Sequence, residues 1–281
     1  MPSPISLVTG IPRSGTTLAC KLLNGVDNVI ALHEPLDPQK LAASQGKEVI
    51  PEIKSNIAHI YRSLLAGKDI EHGDSANLVL DNPVSQSSSN DTPIRATRAK
   101  RGLLSIPAIT PNTHVFIKQN AMFAALVNEL KAEYPLVAIV RNPIDVLTSW
   151  MTVNLPVNRG RIPGGEKFCP PLSETLNGIN DVVARQVTIY HWFLSQFIAS
   201  GVPILKYEDI IATKGLALFK ACQVNGTPDN ALFPRHAYRP ELTAPLTWVA
   251  EHLNYALLAP YYSTHDIAHS LAQTTANGSP N

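Results

Sequence analysis

Residues Ile5 to Thr9 form a short, apolar, β-rich run that passes directly into Gly10-Ile-Pro-Arg-Ser-Gly-Thr-Thr17, and Thr16 to Asn24 then reads as a helix stopped by Gly25. A strand, a glycine-bounded loop and a helix in immediate succession leave few folds open. The G-x-x-x-x-G spacing lets backbone N–H groups wrap a phosphate, and the helix that follows aims its positive end at the same place. An α/β chain holding an anion at its first turn is the expectation.

The rest of the chain fits that class. Apolar strands are expected at Val29 to Leu32, Thr113 to Lys118, Pro135 to Val140 and Val202 to Lys206. Helical character is expected over Lys40 to Ala66 with a break at Pro51, and over Ala121 to Glu133. Further helices are expected from Pro143 onward, over Asn180 to Ser200 up to Gly201, and over 241–258. Asn82 to Pro93 reads as loop, Asn154 to Pro171 as a long proline- and glycine-rich loop, and about 272–281 as a disordered tail. Strands alternating with helices predict three layers: a mainly parallel central sheet covered on both faces, in a single domain over 1–281.

Ligands of open α/β sheets sit beyond the C-terminal strand ends, and that is where the chemically pointed residues fall. Thr16 stands where a nucleoside triphosphatase would carry the lysine that reaches the terminal phosphates. The strand ending at Val140 delivers Arg141, where such an enzyme would carry an aspartate for Mg²⁺. An arginine cannot hold a metal but forks well onto a phosphate. Both departures predict an anion bound without a metal. Ser149, eight residues after Arg141, meets the same ligand if the intervening helix faces inward.

With these residues in view, the chain resembles the sulfotransferases that use 3′-phosphoadenosine-5′-phosphosulfate (PAPS). Pro12-Arg-Ser-Gly-Thr-Thr17 is similar to their 5′-phosphosulfate loop, Arg141 with Ser149 to their 3′-phosphate pair, and Ile204-Leu-Lys-Tyr-Glu-Asp209 to the strand and acidic turn near the nucleotide. The similarity is closer to the tyrosylprotein-type and bacterial branch than to the cytosolic steroid and phenol enzymes. It implies a P-loop sulfotransferase-like fold and PAPS as co-substrate, with 3′,5′-adenosine bisphosphate as product. Pro12, Arg13, Ser14, Gly15, Thr16, Thr17, Arg141, Ser149 and Tyr207 would bind the nucleotide. Glu34 would be the base, and Lys118 and Arg13 would stabilise the leaving oxygen. His33 is the rival base. Cytosolic members carry a catalytic histidine two residues beyond a lysine, whereas Lys118-Gln-Asn120 puts Asn there. Arg235 and Arg239 lie where the family has a C-terminal nucleotide loop, without its glycine-containing pattern.

Composition bears on partners. With 23 Lys plus Arg against 22 Asp plus Glu, the formal charge is +1, so no global field points to nucleic acid or to a membrane surface. Three widely spaced cysteines, Cys20, Cys169 and Cys222, give neither a disulfide framework nor a zinc site. No run of about 18 apolar residues is present. A cytoplasmic protein is the expectation, although a catalytic domain cut from a Golgi-type membrane enzyme reads the same way. The acceptor would be a hydroxyl-bearing small molecule, glycan, lipid or peptide; Arg159 and Arg161 read first as charges of a solvated loop, with a preference for an acidic acceptor as the alternative. Two rivals stay open: a nucleotide kinase on the same loop, and a nonenzymatic nucleotide- or partner-binding protein on the same scaffold.

Overall fold

The computed structural model describes residues 4–41, 46–73, 101–234 and 238–275. Five parallel strands make the central sheet in the order β2-β5-β1-β6-β7: β1 (Ile5–Gly10), β2 (Val29–His33), β5 (His114–Lys118), β6 (Leu136–Val140) and β7 (Ile204–Lys206). A two-stranded antiparallel hairpin, β3 (Ile70–His72) with β4 (Gly102–Leu104), stands apart. The fold is α/β with a parallel sheet flanked by helices, as expected.

Side-chain alternation produces the three layers, because successive residues of a strand point to opposite faces. Leu7, Ile117 and Ala138 join one apolar cluster together with the helices Ile50–Leu65, Pro143–Met151 and Val182–Ser200. Their strand neighbours Val8, Phe116 and Ile139 join a second cluster with the helices Thr16–Leu23, Tyr207–Ala212 and Leu216–Ala221. Every residue of β1 is buried, as expected of a strand at the centre of a doubly covered sheet.

The order of strands sets the position of the crevice. From β1 the chain crosses toward β2, and from β6 it crosses the other way toward β7. Neighbouring connections that leave in opposite directions open a gap beyond the carboxyl ends of β1 and β6. The loop after Gly10 and the residue Arg141 both lie there. Gly10 sits level with Ile139, and a Cβ on it would come within 2.4 Å of the Ile139 carbonyl oxygen, so this strand end admits no side chain.

Several expectations are corrected. Asn154 to Pro171 is not one long loop: it contains the 3₁₀ turn Pro156–Arg159 and the helix Pro163–Glu166, and the helix Pro170–Asn177 begins at its end. Each begins with a proline, whose fixed φ and missing N–H suit the first helical position. Pro51 likewise stands in the first turn of Ile50–Leu65 rather than breaking it. The helix expected over Ala121 to Glu133 is two short ones, Ala121–Ala125 and Val127–Lys131, separated by Leu126 at φ −113°. The helix expected over 241–258 is interrupted at the extended Leu253, leaving Thr243–His252 and Tyr255–Leu258. The helix Thr264–Thr275 occupies the first part of the expected tail, and 276–281 lie outside the described residues. The expected loop Asn82 to Pro93 also lies outside them, as does Arg235. Among the described residues, no helix is long and apolar enough to cross a membrane.

Candidate active site

The loop after β1 owes its shape to two left-handed residues. Arg13 has φ 72° and Gly15 has φ 88°. Gly15 carries that conformation without strain, whereas Arg13 costs about 1–2 kcal/mol in it. Contacts beneath the loop offset this cost. Ser14 is fully buried and donates from its hydroxyl to the Ile139 carbonyl at 2.9 Å, and Trp150 Nε1 donates to the Pro12 carbonyl at 2.9 Å. No side chain caps the helix that begins at Thr16, although serine or threonine caps are common at such ends. Thr16 and Thr17 are buried on its first turn. The loop is thus anchored from beneath by Ser14 and Trp150.

Arg13 and Ser149, 136 residues apart, meet across the crevice: Arg13 Nε donates to Ser149 Oγ at 3.0 Å. The helix Pro143–Met151 does face inward at this point, and Ser149 is 9% exposed. Ser149 is therefore joined directly to the loop after β1 through Arg13. Arg141 follows β6 and pairs with Asp145 one turn later at 3.3 Å. Its guanidinium also lies 4.5 Å from the ring centre of Tyr207, a cation–π geometry. Tyr207 opens a helix immediately after β7, and its ring packs so close to Gly15 that a Cβ there would sit 2.5 Å from Cδ2. A single aromatic face therefore touches both the loop and the arginine. Below it, Glu208 accepts from the Asn142 N–H at 2.9 Å and from the Tyr262 hydroxyl at 2.9 Å, which fixes the chain just after Arg141.

On the other side of β1, β2 and β5 bring Glu34 and Lys118 together. His33 and Lys118 are register partners, so the residue after β2 falls beside the end of β5. Lys118 Nζ donates to Glu34 Oε1 at 2.6 Å and lies 3.2 Å from His33 Nε2. The lysine is 2% exposed, while Glu34 keeps 36% of its side-chain surface open. A charge this deep needs a partner, and Glu34 supplies it. Burial alone would raise the Glu34 pKa. The Lys118 charge, His33, the hydrogen bond from Lys118 and the Arg101 guanidinium outweigh it and hold the carboxyl below its ordinary value. His33 is pushed down to about 3, first by burial and then by Lys118, so it is neutral at pH 7. A charged lysine can only donate, so His33 Nε2 accepts from it and the ring proton sits on Nδ1.

The strand ends thus assemble two groups of side chains, a tight loop with nearby arginines after β1 and β6 and a carboxylate–ammonium pair after β2 and β5. No protein-family model matches the sequence, and no curated protein matches it. Among solved structures, the chain is similar to a sulfotransferase domain from the curacin biosynthetic pathway. That likeness covers 81% of this chain and 76% of the other, at 16% identity and a TM-score of 0.41.

Some residues around these two groups gave no signal in the sequence reading. Trp150 and Tyr262 reach the site through long-range hydrogen bonds, His72 ends a strand of three residues and Arg101 immediately precedes another, both strands being too short to show a period. Arg101 donates to the carbonyls of Glu34 at 3.0 Å and Pro35 at 2.7 Å. Of the two arginines named for the acceptor, Arg161 is paired with Glu166 and donates to Asn177 at 2.7 Å. It lines, with Arg159 and Lys167, an open hollow of about 530 Å³. Lys167 Nζ donates to the carbonyls of Pro38 and Leu41, which fastens this segment to the chain just beyond Glu34. Arg239 donates its backbone N–H to the Thr274 carbonyl at 2.7 Å, and its Nε is buried without a partner among the described residues.

Proposed function

We propose that the chain is a sulfotransferase that moves a sulfuryl group from PAPS to an acceptor hydroxyl. The observation that carries this reading is the pairing of Glu34 with Lys118 beside a phosphate cradle whose neighbouring strand ends in Arg141 rather than an acid. A base, a cation and an anion site are the parts that an in-line sulfuryl transfer needs.

In this reaction the acceptor oxygen forms a bond to sulfur while the bond from sulfur to the bridging oxygen of the 5′-phosphate breaks. The electron pair of the broken bond stays on that phosphate, and the product nucleotide is 3′,5′-adenosine bisphosphate. The acceptor proton passes to Glu34, which is ionised at neutral pH because its pKa is held low. Lys118 directs two of its three N–H groups at Glu34 and His33, and its third would be offered to the leaving oxygen. As charge grows there, Lys118 is drawn toward it, and Glu34 loses part of the field that depresses its basicity. Arg13 and the backbone N–H groups of the loop stabilise the same developing charge. Arg141 and Ser149 hold the 3′-phosphate, and Tyr207 supports the loop and Arg141 together. No step requires a metal.

The acceptor would enter on the Glu34 side, where the segment from Pro156 to Asn177 is fastened to the chain beyond Glu34. The test is transfer of label from PAPS to a panel of hydroxyl-bearing small molecules, glycans, lipids and peptides, repeated with Glu34→Gln and Lys118→Ala. Label transfer that falls in both variants supports the reading. A folded wild type that neither binds PAPS nor transfers label overturns it.

A further inference from the structure

The geometry points to Arg101 and His72 as positioning residues, which make the β3–β4 hairpin a clamp that holds the Glu34 carboxylate against Lys118. This rests on the sulfuryl-transfer reading for its catalytic consequence, though not for the clamp itself.

Glu34 has φ 49°, a left-handed conformation that a glutamate adopts under constraint. The constraint comes from outside the turn. The His33 N–H donates to His72 Nε2 at 2.8 Å, and the His33 carbonyl accepts from the Gly73 N–H at 2.8 Å. The Glu34 N–H donates to the Lys118 carbonyl at 2.8 Å. Arg101 NH1 donates to the Glu34 carbonyl, and NH2 donates to that of Pro35. Four of these five bonds therefore come from the hairpin and its flanking residues, and one comes from β5. The approach is close enough that a Cβ on Gly73 would stand 2.8 Å from the His33 oxygen and 2.9 Å from Glu34 Cβ.

Both side chains are fixed for the task. His72 is 2% exposed, and because it accepts at Nε2 its proton sits on Nδ1. Arg101 is oriented by Glu71, which also pairs with Lys40 at 2.6 Å. Among the described residues, the charged and titratable groups that face Glu34 are Lys118, His33, Arg101 and the buried thiol of Cys20 on the first helix, with His72 behind His33. Removing Arg101 therefore frees the turn and also withdraws one of the positive charges that hold Glu34 ionised. A residue that merely supported the fold would leave the titration of Glu34 where it was.

The experiment measures full-length wild type, Arg101→Ala, Arg101→Lys, His72→Ala and His72→Gln in three ways. These are ¹³C NMR titration of the Glu34 carboxyl, amide exchange at His33 and Glu34, and turnover against pH beside the Kd for 3′,5′-adenosine bisphosphate. Arg101→Ala is expected to titrate Glu34 at higher pH, to speed exchange at both amides, and to move the acid limb of kcat upward in pH. Its kcat should fall roughly tenfold to a hundredfold, as for a misplaced catalytic group, with nucleotide Kd unchanged within about twofold. Arg101→Lys keeps the charge and should leave the acid limb near that of wild type. His72→Gln keeps an acceptor for the His33 N–H and should recover most of what His72→Ala loses. Unchanged Glu34 titration and exchange in Arg101→Ala would overturn the clamp, whatever the turnover. Altered titration and exchange with wild-type turnover would overturn its catalytic role. Failure of the sulfuryl-transfer reading shows separately, as absence of transfer by the wild type.

Discussion

Lys118 Nζ lies 2.6 Å from Glu34 Oε1, so the proposed cation and the proposed base form one closed ion pair at the ends of β5 and β2. Lys118 helps hold Glu34 in its charged form, and neither is replaceable without changing its partner. Glu34→Gln removes the proton acceptor and should lower kcat by roughly 10²- to 10⁴-fold, with nucleotide Kd nearly unchanged. It also leaves the buried Lys118 without a carboxylate. A loss of roughly 1–3 kcal/mol in urea denaturation is expected, less than for a wholly buried pair because part of Glu34 faces solvent. Lys118→Ala should cost on the order of 3 kcal/mol of transition-state stabilisation, read as kcat/KM.

Arg13 and Ser149 should behave as a unit. Their hydrogen bond joins the loop after β1 to the helix after Arg141, so Arg13→Ala and Ser149→Ala should each weaken binding of 3′,5′-adenosine bisphosphate, and the double variant should lose less than the sum. A coupling of about 0.5–1.5 kcal/mol is expected from calorimetric Kd values of the four proteins. Arg141→Ala should weaken binding more than either, because a guanidinium holds a phosphate more strongly than a hydroxyl does.

Gly15→Ala meets two obstacles, a left-handed backbone and the Tyr207 ring where its Cβ would go. A destabilisation of roughly 2–4 kcal/mol, with loss of nucleotide binding, should appear in denaturant titrations. Adding Tyr207→Ala removes the clash but not the backbone cost. The double variant should therefore regain part of the stability.

His33 gives a pH signature. Its folded pKa lies near 3, below the ordinary value of 6.5, so below about pH 6.5 the unfolded chain binds a proton that the folded one does not. Stability should fall as pH drops through that window, by up to about 1.4 kcal/mol per pH unit for one proton. Glu34, also held low, adds a decline in the same direction below its ordinary pKa. His33→Gln should flatten the part between pH 6.5 and 5 in thermal melts, and an unchanged slope would assign the decline to other groups.

The parts of this site that were legible in sequence are those that strands present at their ends. Gly10 to Thr17, Arg141, Lys118 and Glu34 each follow an apolar run, and a run that stops at a charged residue marks a strand end without knowledge of its neighbours. What pairs across the sheet is set by strand order, which the chain does not spell out. The meeting of Arg13 with Ser149 depends on β1 lying beside β6, and that of Glu34 with Lys118 on β2 lying beside β5. The hairpin that carries His72 escaped notice because three-residue strands show no alternation. The prolines of 154–171 were read as loop markers although three of them open helical turns.

The most direct test is calorimetric binding of 3′,5′-adenosine bisphosphate to the wild-type protein in the presence of a metal chelator, with Mg²⁺–ATP as the competing ligand. Stoichiometric binding that persists in chelator, drops sharply in Arg141→Ala and is not displaced by Mg²⁺–ATP is the predicted result. A folded protein that ignores the bisphosphate, or that prefers the metal-bound triphosphate, would contradict it.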